Sequence, residues 1–110
     1  MAQFVELSMD QGTSFSVDIT VINEDGSTRN VANSTFTSSI RKSYYSSSVT
    51  ANLSIATADA ANGVIYANAN SAVTANIRPG RYLYDIKEVR GSNVTRLVEG
   101  IVTVYPQITK

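Results

Sequence analysis

The sequence predicts an all-β domain: an antiparallel β-sandwich of seven or eight short strands, with a small β-barrel as the alternative. Three observations carry this. Apolar and polar residues alternate with a period of two along most of the chain. Turn clusters rich in Gly, Asn, Asp and Pro separate the alternating runs. No segment sustains a helical period for the length a helix needs. Composition agrees, since valine, isoleucine and threonine make up 32 of 110 residues and favour strands.

Val5, Leu7 and Met9 alternate with Phe4, Glu6 and Ser8 in a first strand that ends near Gln11-Gly12. Phe15, Val17, Ile19 and Val21 alternate with Ser14, Ser16, Asp18 and Thr20, a strand with one apolar and one wet face. It runs into Asn23-Glu24-Asp25-Gly26, a turn cluster whose Asp-Gly tolerates positive φ. Phe36, Ser38 and Ile40 share one face of a third strand that continues to about Tyr44, before a bend at Ser46-Ser47-Ser48. Val49, Ala51, Leu53 and Ile55 alternate with Thr50, Asn52 and Ser54 in a fourth.

Residues 56–63 are Ala-rich and too short for an unsupported helix, so a loop with one turn is expected there. Val64, Ile65 and Tyr66 open a strand that fades into Asn68-Ala69-Asn70. Residues 71–77 fit either a loop or a single helical turn. Pro79-Gly80 signals a turn. Residues 82–89 form a strong strand, with Tyr82, Tyr84, Ile86 and Glu88 on one face and Leu83, Asp85, Lys87 and Val89 on the other. Arg90-Gly91-Ser92-Asn93 links it as a hairpin to the last strand, 94–105. Gly100 inside that strand marks a bulge or a close backbone approach, and Pro106 stops it. No linker or repeat divides the chain, so residues 1–110 read as one domain.

One local pattern favours the sandwich and gives it an immunoglobulin-like character. Pro79-Gly80-Arg81-Tyr82 places a tyrosine two residues after a turn glycine, at the head of a strand. Immunoglobulin-type sandwiches carry a tyrosine corner there, its hydroxyl bonded to nearby backbone. Tyr84 then stands where a disulfide-bearing domain has its second cysteine. The plainer reading is that both tyrosines are strand residues of high β propensity.

Composition excludes several function classes. Cysteine and histidine are absent, so there is no disulfide framework, no Cys/His zinc site and no histidine base. Nine basic residues cancel nine acidic ones, which argues against gripping nucleic acid by phosphate neutralisation. Residues 1–10 lack the basic start and apolar run of a signal peptide, and no stretch has the apolar length of a membrane span. The N-x-[ST] triplets at Asn33, Asn52 and Asn93 reflect an Asn-, Ser- and Thr-rich chain.

The remaining candidates are few. Ser39 and Lys42 fit the S-x-x-K spacing, but residues three apart on a strand face opposite ways, so the lysine cannot serve the serine as a base. No spacing singles out a pair of carboxylates for acid–base work. Asp25 or Asp59 with backbone carbonyls is the arrangement through which a loop could hold calcium. Arg41, Lys42, Tyr44 and Tyr45 mix cations with aromatics, and two adjacent strand tyrosines cannot both face a core, so these four form the candidate interaction patch. The competing reading is a charged strand end that discourages edge pairing. Arg81, Arg90 and Arg96 read as structural, with Arg90 and Arg96 in reach of Glu88 or Glu99. No catalytic, cofactor-binding or metal-binding residue is assigned.

The segment Ile77-Arg78-Pro79-Gly80-Arg81-Tyr82-Leu83-Tyr84-Asp85-Ile86, followed by Thr95-Arg96-Leu97-Val98-Glu99-Gly100-Ile101-Val102-Thr103-Val104-Tyr105-Pro106-Gln107-Ile108-Thr109, resembles the end of small virion structural proteins of tailed bacteriophages. The similarity is to those of T4-like phages of marine cyanobacteria, and to the immunoglobulin-like N-terminal module of baseplate upper proteins. Gln11-Gly12-Thr13-Ser14-Phe15, Asp25-Gly26-Ser27 and Ser39-Ile40-Arg41-Lys42-Ser43-Tyr44 are similar to the same pattern, in the same order. The departure is Asn30-Val31-Ala32-Asn33-Ser34, where that pattern is more apolar and contains glycine. The resemblance implies a non-enzymatic virion component assembled in a bacterial cytoplasm. Its implied partners are other virion proteins and further copies of itself, with no nucleic acid, membrane, small-molecule substrate or cofactor. A carbohydrate-binding module, with Tyr44, Tyr45 or Tyr66 stacking on sugar rings, is the alternative; a single-strand nucleic-acid binder and an enzyme rank below it.

Overall fold

The computed structural model describes residues 3–23, 25–43 and 49–108. The chain is an all-β sandwich of two sheets that do not close into a barrel. The strands are β1 (Gln3–Phe4), β2 (Leu7–Asp10), β3 (Phe15–Thr20), β4 (Thr35–Arg41), β5 (Ala51–Asn52), β6 (Ser54–Asp59), β7 (Val64–Ala69), β8 (Gly80–Arg90) and β9 (Asn93–Tyr105), with one short helix, α1 (Ser71–Ala75).

The larger sheet runs β1-β9-β8-β4-β5, with β2 also beside β9; the smaller runs β3-β7-β6. The β3-β7-β6 sheet takes the place of strands B, E and D of an immunoglobulin-type sandwich, and β9-β8-β4-β5 that of G, F, C and C′. The first strand joins the large sheet, in parallel with β9.

Among the described residues there are nine strands, because two expected ones are divided. The first breaks after Phe4, where Val5 N–H donates to the Glu99 carbonyl at 3.0 Å, and resumes at Leu7. The alternation over residues 49–55 splits at the buried Leu53, so β5 pairs with β4 in one sheet while β6 pairs with β7 in the other. The chain stays extended while changing partners, so local alternation hides the switch.

Residues 56–63 depart from the expected loop. Residues 56–59 continue β6, because cross-strand pairing with β7 overrides the weak strand preference of alanine. Residues 71–75 form a helical turn capped by Asn70, whose side chain accepts from Val73 N–H at 2.9 Å. Asn33 adopts φ 64, so an asparagine makes the left-handed bend before β4. The third strand, expected to continue to about Tyr44, ends at Arg41: Lys42 and Ser43 bend away from it, and Tyr44 lies outside the described residues.

Gly100 marks a close approach. A Cβ there would meet the Val5 carbonyl and the Tyr84 ring. The bulge in this strand lies nearby: Ile86 pairs with Val98 but Lys87 with Arg96, so Leu97 is the extra residue and adjacent Leu97 and Val98 are both buried. The core between the sheets is aliphatic, led by Met9, Ile19, Ile40, Ile65, Ile77, Ile86 and Val102. Burying each such side chain contributes about 1.5–3 kcal/mol.

Candidate interaction surface

The candidate patch does not form one surface among the described residues. Arg41 ends β4 opposite Leu83, with its side chain on the outer face of the large sheet. Lys42 turns toward one end of the sandwich, where its ammonium lies 4.8 Å from the centre of the Tyr82 ring and reaches the Arg81 carbonyl at 3.5 Å. Tyr44 and Tyr45 lie outside the described residues. The strand ends between the two cations, and the bend that follows turns Lys42 away from the face that carries Arg41.

On the outer face, strand register builds two rows. Glu99, Asp85, Ser39 and Asn52 are successive cross-strand partners. Beside them run Ile101, Leu83 and Arg41. Arg96 bridges the acidic pair, with Nε 3.4 Å from Asp85 Oδ2 and Nη1 3.4 Å from Glu99 Oε2. Ser39, Arg41, Leu83, Asp85, Arg96 and Glu99, with Ser43, line a shallow depression of about 200 Å³. Phe4, opposite Glu99, and Tyr105, two positions beyond Thr103 along β9, add exposed aromatics to the same face. A second depression, at the end of the sandwich, is lined by Lys42, Thr50, Asn76, Arg78, Pro79 and Tyr82.

Pro79 and Gly80 turn the chain into β8, with Gly80 at φ 147. The Tyr82 hydroxyl then donates to the Arg78 carbonyl at 2.6 Å, the geometry of a tyrosine corner. Tyr84 is buried, and its hydroxyl donates to the Val5 carbonyl at 2.6 Å. Burial raises its pKa well above the usual phenol value.

At the opposite end of β8, sequence reasoning put Arg90 in reach of Glu88 but missed that Glu88 is buried and held by Arg29 and Ser34. Glu88 is only 2% exposed. Its carboxylate accepts from Arg29 Nη2 at 2.7 Å and Ser34 Oγ at 3.0 Å, and Arg90 Nη2 is 3.7 Å away. Arg90 also donates to the Asn30 carbonyl at 2.7 Å. Burial alone raises the Glu88 pKa. The hydrogen bonds from Arg29 and Ser34, with the charges of Arg29 and Arg90, outweigh burial and hold it below the ordinary value. The available signal was Glu88 sharing a strand face with Tyr82, Tyr84 and Ile86.

The other candidates have local partners. Ser39 Oγ donates to Asn52 Oδ1 at 3.3 Å, on the opposite side of β4 from Lys42. Asp25 is fully exposed, and hydrogen bonds from the Ser27 hydroxyl and amide hold its pKa below the ordinary value. Asp59 accepts from Asn62 Nδ2 at 2.9 Å. Among the described residues, no three acidic side chains gather as a metal-binding group. Tyr66 lies on the outer face of the small sheet between Asp18 and Ala56, 37% exposed.

Fold and surface define a β-sandwich module whose large sheet presents a mixed apolar and charged outer face. No protein-family model matches the chain, and no curated protein is detectably similar to it.

Proposed function

We propose that this chain is a non-enzymatic structural component of a tailed-phage virion, working by docking the outer face of its large sheet against other virion proteins. The observation that carries the reading is the composition of that face. Leu83 and Ile101 sit side by side, flanked by Phe4 and Tyr105 and interleaved with Arg41, Arg81 and Arg96. Aromatic, aliphatic and arginine side chains together form the usual core of a protein–protein contact. Repetition of such a contact around a symmetric particle multiplies modest affinities. The resemblance of its turn-and-strand motifs, in their order, to those of virion proteins supports the same reading.

Mass spectrometry of purified particles of the encoding phage tests it. The chain is expected among the particle proteins, and its absence from intact particles overturns the reading. Leu83→Glu and Ile101→Glu, on the outer face, are expected to fold normally and to lower incorporation into particles.

A further inference from the structure

The sandwich has four sheet edges, and three are blunted against pairing. β5 is two residues long. β6 carries a register shift between Thr57 and Asp59. The first strand is broken between Phe4 and Leu7. Short strands, bulges and interruptions are common protections for an edge. β3 has none of them: Phe15-Ser16-Val17-Asp18-Ile19-Thr20 is unbroken, with no proline or lysine.

The hydrogen-bond pattern shows which groups β3 offers. Val21 N–H donates to the Gly63 carbonyl at 2.8 Å, one step beyond the Thr20–Val64 pair. Antiparallel alternation therefore directs the backbone of Phe15, Val17 and Ile19 to β7 and that of Ser16, Asp18 and Thr20 outward. The Gln3 side chain closes one end of this edge, donating to the Thr20 carbonyl at 3.3 Å and accepting from Ile22 N–H at 3.4 Å. Its amide does there what one residue of a neighbouring strand would do. At the other end the Thr74 hydroxyl holds the Thr13 carbonyl at 2.7 Å. Between these two ties, no described residue bonds to the outward backbone groups of Ser16 or Asp18.

We propose that this edge pairs with the same edge of a second copy, antiparallel about a two-fold axis through Val17, joining two small sheets into one of six strands. The registers available to a two-fold pair are limited, because outward-pointing groups must meet outward-pointing groups. An axis through Asp18 sets the two Asp18 carboxylates directly opposite, which is destabilising. An axis through Val17 sets each Asp18 opposite Ser16 of the other copy. Four backbone hydrogen bonds form between these residues, and each serine hydroxyl faces a carboxylate. On the inner side Val17 meets Val17 and Phe15 meets Ile19, extending the core across the junction. Closed two-fold pairing uses up both β3 edges and stops at two copies. The inference is independent of the virion reading, which rests on the outer face of the large sheet; failure of either leaves the other standing.

The test is sedimentation of the purified full chain from about 10 μM to 1 mM, with hydrogen exchange read at single amides. The wild type is expected to pass from monomer to dimer across this range, with the Ser16 and Asp18 amides gaining protection as dimer forms. Ser16→Asp opposes like charges twice and is expected to raise the dissociation constant on the order of tenfold. Combining Ser16→Asp with Asp18→Ser exchanges the two positions and is expected to restore wild-type affinity. Both residues are exposed, and circular dichroism confirms that each variant is folded. A wild type that stays monomeric at the highest concentration overturns the proposal, as does a dimer indifferent to Ser16→Asp. A double variant as weak as the single one overturns the Val17-centred register.

Discussion

The Tyr84 hydroxyl donates to the carbonyl of Val5, 79 residues away in sequence, at 2.6 Å. The carbonyl lies over Gly100, where no side chain intervenes. The first strand is broken at this point, and the tyrosine supplies a partner for backbone that the strand ladder leaves out.

Tyr84→Phe keeps the ring and removes the donor, leaving the Val5 carbonyl without it. Urea unfolding is expected to show a loss of about 1–3 kcal/mol. The folded-state pKa of Tyr84 is raised, so its contribution to stability is fully present below the unfolded-state value near 10.0 and is lost as pH rises beyond it. The wild type is therefore expected to lose more stability above pH 10.0 than Tyr84→Phe does, as measured by unfolding across the alkaline range.

Gly100→Ala places a methyl group against backbone that cannot swing aside as a side chain does. A loss of about 1–3 kcal/mol is expected from overpacking. Hydrogen exchange locates it: the Val5 amide, bonded to Glu99, is expected to lose protection before the amides of β8 do.

Glu88 ties the loop before β4 to β8. Glu88→Ala leaves Arg29 and Ser34 without their acceptor and is expected to cost about 3 kcal/mol in denaturant unfolding. The folded-state pKa of Glu88 is depressed, so the stability it contributes is present above the unfolded-state value near 4.5 and lost as pH falls below it. Glu88→Gln is expected to show a shallower fall in stability below pH 4.5 than the wild type.

Tyr82 holds two partners, the Arg78 carbonyl by its hydroxyl and the Lys42 ammonium by its ring. Tyr82→Phe removes the first and retains a ring, for a cost of about 1 kcal/mol. Lys42→Met loses the cation at an exposed site, for about 0.5 kcal/mol. The double variant is expected to cost the sum of the two, because phenylalanine still offers a face to the cation. Thermal unfolding of the four proteins checks this; strong coupling would show that the hydroxyl bond and the ring contact depend on each other.

Much of the architecture was legible because strands announce their faces locally. The sets Phe15, Val17, Ile19 and Tyr82, Tyr84, Ile86, Glu88 needed only a period of two. Gly100 was legible as a close approach, although the chain nearest to it was not. The candidate patch was only partly legible. Adjacency in sequence joined Arg41 to Lys42, whereas the strand end turned them to different sides.

Sequence by itself determined the all-β class, the facing of the strands and the hairpin at Gly91-Ser92, since these depend on residues a few positions apart. Tertiary structure alone decided that the first strand runs parallel to the last, that the chain changes sheets at Leu53, and that Glu88 is neutralised by Arg29. Each of these is a pairing between distant segments. Local alternation is the same whichever partner a strand takes, so only the competition to bury apolar surface and satisfy backbone groups across the whole chain selects among them.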